Sequence, residues 1–149
     1  MNNKITIIGS LFALTTFWHF VADWLPQSHQ EALAKAQNAN VRAWHCSKYT
    51  LVMMAPFISM NLITRPYIAF ICTMILFFSH YIIDSYVPVL LWAKYLRKHP
   101  AFDNVSSDKN AFKEMASTNI GLILIITMDQ LFHIAFLLPV ITLVVLYGF

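Results

Sequence analysis

Residues 117–147 read STNIGLILIITMDQLFHIAFLLPVITLVVLY and form the longest apolar stretch of the chain. Asp129 is the one charged residue among them. About 20 mainly apolar residues are enough for a helix to cross the hydrocarbon core of a bilayer. The apolar residues do not alternate with polar ones, as they would in a strand of a membrane barrel. The stretch therefore predicts a membrane-spanning helix that carries a carboxylate and, four residues later, His133.

The rest of the chain has the same apolar character. Of its 149 residues, 58% are hydrophobic and only 11% are charged. Soluble domains carry about 25% charged residues, and a globule this small could not bury so much apolar surface. The composition therefore excludes an ordinary cytosolic enzyme, a disordered chain and a disulfide scaffold. Uncharged intervals predict four spans, at about 4–25, 46–64, 67–93 and 117–147. We expect an all-α integral membrane four-helix bundle that forms a single transmembrane domain over residues 1–149.

The two longer connections, at about 26–45 and 94–116, are polar and basic. In the first, Glu31 and Lys35 are spaced i, i+4, which predicts a short surface helix with an ion pair. Lys and Arg concentrate in or beside these two connections, and only Lys4 and Arg65 lie on the other side. The positive-inside rule then places both connections in the cytoplasm and both termini in the periplasm, in a bacterial inner membrane. Basic residues split over two juxtamembrane loops argue against a nucleic-acid partner, and the chain is compatible with a homo-oligomer.

Three of the predicted spans each carry a His and an Asp four residues apart. This spacing places both side chains on one helix face, one turn apart. Ionisable residues inside a span cost about 2.5–3.5 kcal/mol each on insertion scales, so three such pairs at similar depth predict one shared polar centre that opens to the cytoplasm. The pairs are His19–Asp23, His80–Asp84 and Asp129–His133, with His45 at the entrance of the second predicted span.

Carboxylate and imidazole ligands without a thiolate suit Zn²⁺, Mn²⁺ or Fe. Against the three negative charges of the carboxylates, one divalent ion would leave a net charge of −1 and two would leave +1. The predicted metal ligands are His19, Asp23, His45, His80, Asp84, Asp129 and His133. Among them, Asp84 and Asp129 are expected to act as catalytic bases and His45 as an auxiliary ligand or acid. Gln27, Gln130 and Tyr49 are candidates to hydrogen-bond the centre, whereas Cys46 and Cys72 are interpreted as small buried apolar residues.

Two alternatives to a metal centre remain. The His–Asp pairs could hydrogen-bond to one another and hold the bundle together without an ion. They could also form part of a proton or ion pathway, although the outer halves of the predicted spans carry few polar residues to continue it.

Four motifs follow one another along the chain: H-x-x-x-D-x-x-x-Q from His19, H-x-x-x-Y from His45, H-x-I-I-D from His80 and D-Q-x-x-H from Asp129. Their order resembles a family of small membrane proteins of unknown function found in bacteria and tailed phages. The resemblance covers almost the whole chain and implies a four-helix membrane fold with the same polar residues. More loosely, the pattern is similar to small multi-span proteins described as membrane-bound metal-dependent hydrolases, although the H-R-x-x-T-H piece usual in those proteins does not occur here.

Two functions are expected from these observations. The first is hydrolysis of a phosphoester or lipid-linked substrate, such as a phospholipid, at a metal site that faces the cytoplasm. The alternative is a non-enzymatic membrane interaction protein, for example one that blocks superinfection or binds a host protein, in which the His–Asp pairs are structural.

Overall fold

The computed structural model describes residues 2–104 and 107–148, and within these ranges it is helical without strands. The all-α expectation is therefore confirmed. A single π-helical turn, Trp92–Leu96, follows the fifth α-helix. In chain order the α-helices are α1 (Asn2–Trp24), α2 (His29–Ala34), α3 (Ala39–Ser59), α4 (Pro66–Ile83), α5 (Val87–Leu91), α6 (Ala101–Asn104), α7 (Asp108–Ser117) and α8 (Asn119–Tyr147).

The four long helices pack side by side in a ring. Helix α1 contacts α3 and α8, and α4 contacts the same two helices from the other side. Large apolar side chains from the facing sides of these helices fill the space between them. The core residues include Met53, Phe57, Leu76, Leu137 and Ile141.

Three of the long helices are long and apolar enough to cross a membrane: Ile5–Trp24 of α1, Pro66–Ile83 (α4) and Asn119–Tyr147 (α8). They also carry large apolar side chains on their outer faces, which suits a lipid environment better than water. Helix α3 begins before the expected 46–64 span and includes Arg42 and Lys48. It is not among the three helices that meet the length and hydropathy criteria.

The interval 67–93, expected as one span, is divided in the structure. Helix α4 ends at Ile83, Asp84 caps it, and Tyr86 takes a left-handed backbone conformation with φ 59°. A continuous helix would require the N–H of residue 88 to bond the carbonyl of residue 84, and Pro88 has no N–H. The chain therefore turns and starts the separate helix α5. Asp84 consequently lies at a helix end rather than inside a continuous span.

Two of the short helices pack against the first third of α8. Helices α5 and α7 both contact α8, and Val89, Ala93, Met115 and Ile125 form a second apolar cluster there. The turn from α7 into α8 is tight, because Gly121 lies directly against the carbonyl of Met115. This second cluster and the main core lie at different heights along α8, and the polar residues of the helix fall between them.

Candidate metal centre

Three helix ends converge on the polar residues. Asp23 lies in the last turn of α1, His80 and Asp84 lie at the end of α4, and His45 lies in the second turn of α3. Because α3 runs opposite to α1 and α4, its beginning lies beside their ends. His133 joins from the middle of α8. Four of the side chains at the centre are almost fully inaccessible to solvent: His45, His80, Asp84 and Asp23.

Three ligand atoms lie in mutual contact. Asp23 Oδ1 is 3.0 Å from His45 Nε2 and 3.4 Å from His80 Nε2. The two imidazole Nε2 atoms are 3.0 Å apart. Ligands about 2.0–2.1 Å from a tetrahedral zinc ion are separated from one another by about 3.3 Å. The three atoms therefore have the spacing of one face of a tetrahedral metal site.

Asp84 approaches the same imidazoles from a second side. Its Oδ2 lies 3.3 Å from His80 Nε2 and 3.4 Å from His45 Nε2. Its Oδ1 lies 3.6 Å from His133 Nε2. Asp84, His80 and the buried Cys46 also place ligand atoms within 4.8 Å of one another. The thiol of Cys46, which the sequence interpretation treated as a small apolar residue, is therefore within reach of an alternative ligand set.

Hydrogen-bond donors are few around the buried acceptor atoms of the centre. The Nδ1–H of His133 donates to the carbonyl of Asp129 at 2.9 Å, so its Nε2 carries a lone pair. That lone pair faces the Asp84 carboxylate, and among the described residues His133 Nε2 completes no hydrogen bond. The Asp84 carboxylate has the Lys35 ammonium at 3.0 Å from its Oδ1 and the two Nε2 atoms beside its Oδ2. The Nδ1 atoms of His45 and His80 are likewise without a partner in the described part of the chain. Facing acceptors repel unless a cation or proton lies between them, so these residues fit a divalent metal ion.

One cation is already present at the centre. Lys35 Nζ lies 3.0 Å from Asp84 Oδ1 and 3.5 Å from Asp23 Oδ1, and Lys35 is only 7% exposed. Burial acts to lower the pKa of Lys35, but the Asp23 and Asp84 carboxylates outweigh it and raise that pKa above its usual value. The lysine is therefore a charged ammonium.

The short helix expected in the first connection is present as α2, but Glu31 and Lys35 have different ion-pair partners. Glu31 instead bonds the N–H of Ser28 in a capping box and forms an ion pair with Lys48 at 2.7 Å. The Lys48 ammonium and the Ser28 N–H hold the pKa of Glu31 below its usual value. The S-x-x-E pattern at 28–31 is a readable sign that Glu31 is engaged at the helix start, which leaves Lys35 free to turn inward.

His19 lies beside the ligand cluster rather than in it. Its Nε2–H donates to Gln130 Oε1 at 3.2 Å, and its Nδ1 accepts from the hydroxyl of Tyr49 at 3.0 Å. The Tyr49 ring also stacks on His80, with centroids 3.7 Å apart. Within the described residues, His19 belongs to neither group of ligand atoms that could hold a metal. Tyr49 thus contacts both His19 and His80, and Gln130 bonds His19 beside the ligand cluster.

Asp129 lies at the mouth of the centre. Its Oδ2 accepts a hydrogen bond from Gln130 Nε2 at 3.1 Å and is 3.7 Å from His133 Nδ1. It lines an open cavity of about 290 Å³ together with Asp23, Lys35 and Gln27. Asp129 is also outside both potential ligand groups of the described chain. Its carboxylate is therefore placed to meet a molecule that enters the cavity.

A family model matches residues 11–148, which include every residue of the centre. The chain belongs to the family described as Protein of unknown function (DUF3307). No curated protein and no solved structure matches the chain.

In this DUF3307 protein, the centre combines three features that bear on its chemistry. There are buried carboxylate and imidazole ligands, one buried ammonium, and a cavity that reaches them from outside. Two carboxylates, Asp23 and Asp84, and one ammonium, Lys35, leave an excess of negative charge that favours a further cation. Such an arrangement is suited to binding a divalent ion next to a space where a second molecule can enter.

Proposed function

We propose that this protein is a four-helix integral membrane protein that binds a divalent metal ion at Asp23, His45 and His80, with Asp84 beside them. The observation that carries the proposal is the close approach of three buried ligand atoms, Asp23 Oδ1, His45 Nε2 and His80 Nε2, which lie 3.0–3.4 Å from one another. Zn²⁺, Mn²⁺ and Fe all accept such a ligand set, and one or two ions are compatible with the charge.

The function that suits this centre best is hydrolysis of a phosphoester or a lipid-linked substrate. A bound divalent ion supplies Lewis acidity and lowers the pKa of water. Asp129, at the cavity mouth, is positioned to accept a proton, and Gln130 holds its carboxylate in place. His45, expected from the sequence as an auxiliary ligand or acid, contributes its Nε2 to the proposed ligand set itself. The cavity of about 290 Å³ has room for a phosphate headgroup.

The proposed location is a bacterial inner membrane, with the centre open to the cytoplasm. The cavity is formed partly by α2 and the end of α1, and the first basic connection lies at this same end. The positive-inside rule assigns that end to the cytoplasm. A substrate could therefore be a soluble phosphoester or the headgroup of a phospholipid in the inner leaflet.

Metal analysis of the protein purified in mild detergent tests the proposal. We expect a stoichiometric transition metal in the wild-type protein and loss of most of it in His80→Ala, because His80 belongs to both potential ligand groups. His29→Ala is the matched control, since His29 is exposed on α2 and should leave the metal content unchanged. Absence of a stoichiometric metal from the wild-type protein would contradict the proposal.

A second candidate is a metal-free interaction protein in which the polar residues hold the helices together. It is favoured by the Lys35 ammonium, which already neutralises part of the carboxylate charge. Asp23→Asn distinguishes the two. The amide retains hydrogen-bonding capacity, so a structural clamp should keep the thermal stability and the biological activity. A metal centre should lose both its metal and any activity that depends on it.

A further inference from the structure

We propose that Lys35 is a tethered counter-ion that competes with the divalent metal for the carboxylates of Asp23 and Asp84, and that it moves into the neighbouring cavity when the metal binds. This inference rests on the metal site proposed above. It assigns Lys35 the role of setting the metal affinity of that site.

The position of the ammonium carries the first step. Lys35 Nζ is 3.5 Å from Asp23 Oδ1 and 3.5 Å from His45 Nε2, and both of these atoms belong to the proposed ligand set. It is also 3.0 Å from Asp84 Oδ1. Two cations that share the same carboxylates within a few ångströms repel strongly in a buried site. A bound metal ion would therefore weaken the attraction of the Lys35 ammonium to these carboxylates, and the ammonium would weaken metal binding.

The backbone of Lys35 is fixed, so only its side chain is free to move. Arg42 Nη1 donates to the carbonyl of Lys35 at 3.0 Å and to the carbonyl of Ala36 at 3.1 Å. The start of α2 is held separately by the ion pair between Glu31 and Lys48. A long, flexible lysine side chain on an anchored backbone is suited to swing between two positions.

The cavity provides the second position. Lys35 lines this open space of about 290 Å³, and so does the carboxylate of Asp129. An ammonium displaced from Asp84 would thus move towards another carboxylate and towards water. Its charge would then lie in the space where a negatively charged phosphate has to enter, which also favours the proposed substrate class.

Metal titration of the apoprotein tests the competition. Zn²⁺ is titrated against a chromophoric chelator for the wild-type protein, Lys35→Met and Lys94→Met. Lys94→Met is the control because Lys94 pairs with Asp108 on α7 and not with the centre. We expect Lys35→Met to bind Zn²⁺ more tightly, on the order of tenfold, as in a typical coupling between two binding events. Lys94→Met should bind it as the wild-type protein does.

Amine labelling provides a second measurement that needs no variant. The wild-type protein is treated with acetic anhydride, with and without saturating Zn²⁺, and acetylation is quantified by peptide mass spectrometry. We expect Lys35 to be protected without Zn²⁺ and to become reactive with it. Lys94 should react to the same extent in both conditions.

The outcomes separate this inference from the metal site itself. If the wild-type protein and Lys35→Met bind Zn²⁺ equally, or the variant binds it less tightly, the competition is refuted while the metal site stands. Continued protection of Lys35 in the Zn²⁺-loaded protein refutes it in the same way. Binding by Lys35→Met alone supports the competition and contradicts a metal-dependent function of the wild-type protein. If neither protein binds Zn²⁺, both proposals fail.

Discussion

Among single side chains, Cys46 and His19 show how strongly local geometry selects the members of a site. Both are fully or almost fully buried, and both lie on helices that line the centre. The thiol of Cys46 is within reach of His80 and Asp84, whereas the imidazole of His19 is engaged by Tyr49 and Gln130. Ligand membership therefore depends on how close the atoms of a side chain lie to the other ligand atoms, and residue type alone does not settle it.

We expect Cys46→Ser to leave the metal site intact. The three atoms from Asp23, His45 and His80 already have the spacing of a metal-site face, so the thiol is not needed as a ligand. The Co²⁺-substituted protein should show no thiolate-to-metal charge-transfer band in the near ultraviolet, and Cys46→Ser should bind Co²⁺ with the same affinity. A near-ultraviolet band that disappears in Cys46→Ser would assign the ion to the Cys46, His80 and Asp84 group instead.

Among the helices, the tight junction between α7 and α8 helps to set the position of α8 and of the polar residues in its middle. Thr118 caps α8 by accepting from the N–H of Gly121, and the Gly121 Cα approaches the carbonyl of Met115. Two helices can meet this closely only where one of them carries no side chain at the contact. The junction thus sets the position from which α8 runs to Asp129 and His133.

Gly121→Ala should destabilise the protein by about 1–3 kcal/mol, because the added methyl group overlaps the backbone of Met115 and the helices must separate. Gly9→Ala is the control, since nothing lies within 4 Å of the position a methyl group would take there. Alanine in place of an exposed helical glycine stabilises a helix by up to about 1 kcal/mol. Thermal unfolding in detergent measures both variants. If Gly121→Ala melts at the same temperature as the wild-type protein, the contact between α7 and α8 is not tight.

The break between α4 and α5 determines the position of Asp84 in the centre. Without Pro88 and the left-handed Tyr86, α4 could continue past Asp84 as the hydropathy pattern suggests. The break instead leaves the buried Asp84 as the cap of α4 and places Tyr86, two residues later, in the lining of the cavity. Pro88 is a readable sign of this break in the sequence. By hydropathy, however, the interval 67–93 is uncharged except for Asp84 and has the pattern of one long span.

For the whole protein, the distribution of charge predicts a defined orientation in the membrane. We expect a C-terminal alkaline phosphatase fusion to be active in a bacterial host, since alkaline phosphatase folds only in the periplasm. A fusion truncated after Arg97 should be inactive, because the second basic connection is expected in the cytoplasm. Immunoblotting for equal amounts of the two fusions is the control. The reverse pattern of activity would contradict the proposed orientation and the cytoplasmic opening of the centre.

The sequence was sufficient to predict the all-helical fold, and three of its four apolar intervals contain helices that could cross a membrane. It was also sufficient to predict that His and Asp residues on separate helices face one another. Hydropathy and the spacing of i, i+4 pairs are local properties, so they can be determined directly from the sequence. The ligand set, the metal and the orientation remain predictions.

The contacts at the centre depended on packing between distant segments. The rotation of each helix about its axis determines whether a polar face points at its neighbour, and that rotation is set by the interlocking of all four long helices. Only the packing of the helices shows that Lys35 lies against the two carboxylates. The same holds for His19, which lies beside the ligand cluster, and for Asp129, which lines the cavity. A residue's own neighbours in the chain carry no information about which atoms from other helices will surround it, and for that reason these three positions could not be deduced before the fold was known.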